Sequence, residues 1–63
     1  MDINEAIKIC HKNRVYIYPV KIRGLWYVER EYNGKPFVYE KSIDVKDQSK
    51  AVNATYINLA KKL

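Results

Sequence analysis

The stretch Leu25–Glu40, LWYVEREYNGKPFVYE, decides the fold of this chain. Two aromatic-rich runs flank Asn33-Gly34, and an Asn-Gly pair between such runs is a strong signal for a two-residue hairpin turn. The turn fixes which residues of the two strands lie opposite one another. The expected pairs are Tyr32 with Lys35, Arg30 with Phe37, Val28 with Tyr39 and Trp26 with Lys41.

Paired residues share a face of the sheet, so the hairpin has two faces of different character. The first face is rich in aromatic residues and is expected to lie under helices, with Trp26 in the core. Its members are Trp26, Val28, Arg30, Tyr32, Phe37, Tyr39 and Lys41. The second face is acidic and is expected to face water. Its members are Tyr27, Glu29, Glu31, Val38 and Glu40.

A first helix is predicted over residues 3–12. Asp2 can cap its first turn, and Glu5 stands at the capping-box position three residues further on. Apolar residues repeat at helical spacing along one face of this segment. They are Ile3, Ala6, Ile7 and Cys10.

One more strand and a second helix complete the pattern. The strand covers 14–23 and contains Pro19, which cannot donate a ladder hydrogen bond, so it is expected to be an edge strand or to be bulged there. Asp44 or Asp47 can cap the second helix. The sequence therefore predicts one α+β domain over residues 1–63, in the order α-β-β-β-α, with a three-stranded antiparallel sheet and both helices packed on one face.

The second helix has two different sides. Its core side is expected to hold Val52, Tyr56, Leu59 and Leu63. Its opposite side is expected to hold Lys50, Ala54, Ile57 and Lys61. The opposite side is a basic stripe with one apolar residue, which is either an ordinary solvated surface or a contact surface.

Composition limits the function. Twelve Lys and Arg against seven Asp and Glu give a net charge of +5, which favours anionic partners, nucleic acid first. No apolar run has the roughly 20 residues of a membrane span. The single Cys10 and single His11 predict no disulfide, metal site or cofactor. No catalytic pattern surrounds them, so we expect a cytoplasmic protein that is not an enzyme.

The segments INEAIKICHKN (3–13), YNGKPFVYE (32–40) and QSKAVNATYINLAKKL (48–63) resemble the double-stranded RNA-binding domain. This resemblance implies two helices on one sheet face. It also implies that Glu5 and Lys8 touch a minor groove and that Lys46 and Lys50 meet phosphates across the major groove. The chain departs from that family in its short KIRGLW turn and in having Ala51-Val52 directly after the lysine.

A second resemblance covers residues 16–60. The runs GLWYVEREYNGKPFVYEKSI and KAVNATYINLA are similar to the arm-type DNA-binding domains of tyrosine recombinases and their AP2-like relatives. In those domains a three-stranded sheet enters the major groove, backed by one helix. This resemblance implies a basic open sheet face, whereas Glu29, Glu31 and Glu40 are expected there and would repel phosphates.

Three functions follow as hypotheses. A small nucleic-acid-binding accessory protein would contact duplex phosphates through lysines of the two helices. The candidate residues are Lys8, Lys12, Lys46, Lys50 and Lys61. Alternatively, a protein-interaction module, for example a phage or mobile-element product that docks on a host protein, would use an apolar patch around exposed Ile9, Ile57 and Tyr27. The third is a structural protein that acts by oligomerisation.

Overall fold

The computed structural model describes all 63 residues of the chain. The elements in chain order are helix α1 (Ile3–Lys12), strands β1 (Val15–Ile22), β2 (Leu25–Tyr32) and β3 (Lys35–Val38), a 3-10 turn (Val45–Asp47) and helix α2 (Gln48–Ala60). The strands form one antiparallel sheet in the order β1-β2-β3. The predicted α+β order α-β-β-β-α is confirmed, and α1 has the predicted bounds.

The β2-β3 hairpin has the predicted register near its turn. Tyr32 lies opposite Lys35 and Arg30 opposite Phe37. The pairing predicted for Trp26 is wrong: this residue forms an isolated bridge with Ile43 instead of Lys41. The physical reason is that β3 ends at Val38 and the chain bends away over Glu40 and Lys41, so the partner of Trp26 is two residues further on.

Both hairpins turn through residues with positive φ. Asn33 has a φ of 51° and Gly34 of 85°, while Arg23 has 53° and Gly24 has 83°. A type I′ turn requires positive φ at both of its central residues, and its twist matches that of the flanking strands. The predicted turn at Asn33-Gly34 is confirmed, and Arg23-Gly24 forms a second turn with the same signs of φ.

One core joins both helices to a single face of the sheet. Its fully buried members are Ala6, Cys10, Val15, Ile17, Val28, Tyr56 and Ala60. The members from α1 and α2 are small except for one tyrosine, so the helices can approach each other closely. The helices pack on β1 and β2. They leave much of β3 uncovered, since Lys35, Pro36 and Phe37 are exposed.

This placement corrects the expected core. Trp26 is only partly buried and lies outside the core cluster, near Lys21, whose ammonium is 6.0 Å from the centre of the indole. Phe37 is 48 % exposed. Both residues lie on the predicted face, but at positions beyond the part of the sheet that two short helices can cover. Val28, which is buried, is the hairpin residue at the centre of the core.

The two helix starts differ. The Asp2 carboxylate accepts a hydrogen bond from the Glu5 N–H at 2.9 Å, as predicted for an N-cap. Neither Asp44 nor Asp47 caps α2 with its side chain, which corrects that prediction. A 3-10 turn precedes the helix. A backbone hydrogen bond closes this turn: the Asp47 N–H donates to the Asp44 carbonyl at 2.9 Å.

Both prolines of the chain lie on free edges of the sheet. Asn33 donates its N–H to the Arg14 carbonyl at 3.0 Å, so the alternation of an antiparallel ladder turns Pro19 away from β2. The same alternation turns Pro36 of β3 outward. Each proline therefore lacks the backbone N–H that a further strand would need for pairing at that edge. Edge strands commonly contain proline, which prevents such pairing.

Candidate binding surfaces

All five candidate lysines are exposed, and the structure divides them into three places. Lys8 and Lys12 lie one turn apart on α1. Lys46 and Lys50 lie at the N-terminal end of α2, and Lys61 follows its last turn. At about 1.5 Å of rise per residue, Lys61 stands roughly 16 Å along the helix axis from Lys50. We call these residues the helix lysines.

The apolar patch expected for a protein partner is not one surface. Ile9 and Ile57 are partly buried and pack against the core. Tyr27 is opposite Val20 and alternates with the buried Val28, so it lies on the other face of the sheet. The expectation that Ile9, Ile57 and Tyr27 are exposed together is therefore corrected.

Cys10 and His11 both contact Tyr56. The Cys10 thiol faces the Tyr56 carbonyl oxygen at 3.6 Å, and burial raises the pKa of this thiol. His11 Nε2 lies 3.1 Å from the Tyr56 hydroxyl, which also accepts the Ile17 N–H at 3.0 Å. These contacts tie α1, α2 and the free edge of β1 together, so both residues have structural roles.

The face of the sheet opposite the helices is uncovered, and we call it the open sheet face. The core positions Val15 and Ile17 fix the alternation along β1, so the residues between and beyond them point outward. The strand residues of this face are Tyr16, Tyr18, Val20, Ile22, Leu25, Tyr27, Glu29, Glu31, Pro36 and Val38. The hairpin residues predicted for it are confirmed except Glu40, which lies in the bend after β3. The face is mainly aromatic and aliphatic, rather than acidic as predicted.

Two carboxylates at the centre of the open sheet face are held by one tyrosine. The Tyr18 hydroxyl donates to Glu29 Oε2 and lies 3.1 Å from Glu31 Oε1. A phenol has one hydroxyl proton, so it donates a hydrogen bond to only one carboxylate at a time. The hydrogen bond to Glu29 is the main reason that the pKa of Tyr18 lies well above its ordinary value, followed by burial and the contact with Glu31.

The sheet separates its charges between its two faces. Lys21, Arg30 and Lys35 alternate with the outward positions and lie on the helix side. Glu29 and Glu31 lie on the open sheet face, which has no Lys or Arg at any strand position. The helix side is therefore the positive side of the sheet, and the open side is its negative side.

A cleft lies on the helix side between the end of α2 and the ends of β1 and β2 beside the Asn33-Gly34 turn, and we call it the β3 cleft because β3 begins after that turn. A cavity of about 290 Å³ forms its centre, lined by Val15, Arg30, Tyr32, Leu59, Lys62 and Leu63. Tyr32 is 55 % exposed at its rim. The Arg30 guanidinium lies 4.9 Å from the ring centre of Phe37 and 5.9 Å from that of Tyr39, so it is stacked among aromatic rings.

Sequence reasoning placed Tyr32 and Phe37 on the sheet face expected to lie under the helices and so missed the β3 cleft. One signal could have indicated it. The chain has six Tyr, one Phe and one Trp, and only Tyr56 is among the buried residues. A domain of 63 residues has too small a core for eight aromatic side chains, so most of them had to lie at the surface.

The helices of the structure are all too short or too polar to cross a membrane. Comparison with known proteins gives no match to a family model, a curated protein or a solved structure.

Proposed function

We propose that this chain is a small nucleic-acid-binding accessory protein that contacts duplex phosphates through the helix lysines. The observation that carries the proposal is the separation of charge across the sheet. Because Glu29 and Glu31 lie on the open face, the helix side keeps a large part of the net charge of +5. A positive surface attracts phosphates at long range and accelerates association.

The element order adds support, because it agrees with the resemblance to the double-stranded RNA-binding domain. In that family the start of the second helix meets phosphates, and Lys46 and Lys50 occupy that place here. Glu5 and Lys8, the residues that the resemblance puts at a minor groove, lie on α1. Lysine holds a phosphate as a point charge and reads no base, so the binding is expected to depend little on sequence.

Replacing Lys46 and Lys50 together by Ala is expected to weaken binding to every duplex tested. It should also reduce the slope of log K against log salt by about two units, since each lost phosphate contact removes roughly 0.9. Fluorescence anisotropy with duplex RNA and duplex DNA at several salt concentrations measures both effects. The matched variant Lys46→Arg with Lys50→Arg keeps the charge and should keep the slope. Unchanged binding by the Ala pair would refute the role of these lysines.

The open sheet face favours a second function, the docking of a protein partner. Its aliphatic and aromatic residues surround Glu29 and Glu31, and no cation lies among its strand positions. Contact between two copies through this face would bring four carboxylates together, which costs free energy. The occupant that fits is a protein segment with an Arg or Lys flanked by apolar residues, because it satisfies both carboxylates and covers the apolar rim.

A peptide selection tests this second function. Random peptides displayed on phage would be selected on the wild-type chain and counter-selected on Glu29→Lys with Glu31→Lys. We expect the enriched peptides to carry Arg or Lys beside apolar residues and to lose binding to the double variant. They should still bind Lys46→Ala with Lys50→Ala, since those residues lie elsewhere. Enriched peptides without cations, or equal binding to the Glu variant, would rule out this docking surface.

A further inference from the structure

We infer that the β3 cleft binds an unpaired nucleobase together with its phosphate. This inference rests on the proposed nucleic-acid binding and deepens it: the helix lysines hold phosphates of any strand, whereas the β3 cleft selects nucleic acid with a base free to stack. The ligand class is a single-stranded segment, a loop or a frayed end. The cleft lies at the end of α2 that is remote from Lys46 and Lys50.

The first argument is the exposure of two aromatic rings on one face of the sheet. Tyr32 is 55 % exposed and Phe37 is 48 % exposed. Tyr32 pairs with Lys35 and Arg30 with Phe37, so the two rings are diagonal neighbours on adjacent strands. Aromatic side chains presented in this way on a sheet are the surface on which proteins stack unpaired bases.

The second argument is the charge of the cleft. Arg30 and Lys62 line the cavity, and no carboxylate side chain does. Arg30 is already stacked on Phe37, so its guanidinium is held in place before a ligand arrives. A guanidinium donates in a planar fork that matches phosphate, and its flat surface also stacks on bases. The Tyr32 ring therefore lies at the cavity, the Phe37 ring lies against Arg30 outside the cavity lining, and the two cations offer contacts for the phosphate of the same nucleotide.

The third argument is size. The cavity of about 290 Å³ is at the lower limit of small-molecule pockets, which begin near roughly 300 Å³. This volume suits one base and not a complete cofactor. The apolar floor formed by Val15 and Leu59 suits the flat surface of a base. A paired base is unsuitable, because its two flat surfaces are covered by its neighbours in the duplex.

Binding of labelled oligonucleotides to the full chain tests the inference. The probes are a short fluorescein-labelled oligouridylate and a duplex RNA of equal length. We expect Tyr32→Ala and Phe37→Ala each to weaken binding of the single strand by about tenfold, the effect of one lost stacking contact. Duplex binding should be unchanged. Tyr32→Phe keeps the ring and should bind as the wild type does, and Tyr27→Ala on the open sheet face should have no effect.

Ultraviolet cross-linking of a 4-thiouridine oligonucleotide, followed by mass spectrometry, locates the base without any substitution. We expect the cross-links on Tyr32 or Phe37. Cross-links confined to the helix lysines, or single-strand binding that both Ala variants retain, would overturn the β3 cleft while leaving the proposed function intact. A wild-type chain that binds neither probe at low salt would overturn the proposed function itself, and this inference with it.

Discussion

Tyr56→Ala is expected to leave no folded protein at room temperature. Tyr56 is the one large side chain contributed to the buried core by either helix, and it is 6 % exposed. Truncating a buried aromatic ring to Ala costs about 3–5 kcal/mol. A core of this size rarely supplies more than about 3–5 kcal/mol of net stability, so the expected loss is as large as the total free energy of unfolding. Circular dichroism and amide dispersion in an NMR spectrum would show the unfolding.

Tyr56→Phe separates the contribution of the ring to stability from the contribution of its hydroxyl. The ring stays, but the Ile17 N–H on the free edge of β1 loses its acceptor, and His11 Nε2 loses its partner. We expect the free energy of unfolding to fall by about 1–3 kcal/mol, the cost of leaving a buried donor unsatisfied. For a domain of this size that lowers Tm by roughly 5–20 °C.

Tyr27 supplies the matched control, because it is a tyrosine on the open sheet face. Tyr27→Phe is expected to change Tm little, since no hydrogen bond of its hydroxyl holds elements together. If Tyr56→Phe were as stable as the wild type, the hydroxyl would not be what joins the two helices to the β1 edge. A folded Tyr56→Ala would contradict the core assignment directly.

Local signals explain what could be predicted of the fold. Asp2 and the apolar repeat fix α1, and Asn33-Gly34 fixes the hairpin register, since each depends only on residues close in the chain. Which part of the sheet the helices cover depends instead on how α1 and α2 pack on each other. The hairpin sequence does not determine that packing, so the prediction that Trp26 lies in the core is wrong.

The surfaces were harder to predict than the fold for a related reason. The division of the helix lysines between α1 and the two ends of α2 follows from their positions in the chain, but how α1 and α2 lie on the sheet follows from the tertiary structure. The sequence does not decide which residues of β1 point toward the helices, since both faces of this strand carry apolar residues. Only the burial of Val15 and Ile17 turns Tyr18 outward, where it meets Glu29.

Gly34→Val is expected to lower the free energy of unfolding by about 2 kcal/mol, which lowers Tm by roughly 10 °C. Gly34 has a φ of 85°, and a Cβ built on it meets nothing within 4 Å. The Cβ itself therefore meets no crowding, and the expected effect is the strain of an L residue, β-branched in this case, at positive φ. Thermal denaturation followed by circular dichroism measures it.

A D-alanine at the same position reverses the expectation, and chemical synthesis of a chain of 63 residues makes it accessible. A D residue prefers positive φ, so it fits the φ of 85° at Gly34 without backbone strain. It also restricts the unfolded chain, which glycine does not, so stability should be unchanged or higher by up to about 1 kcal/mol. The two variants thus add a side chain at Gly34 in opposite chirality, and only the L residue should lower Tm. Equal losses from both would mean that the Asn33-Gly34 turn depends on something other than its backbone conformation.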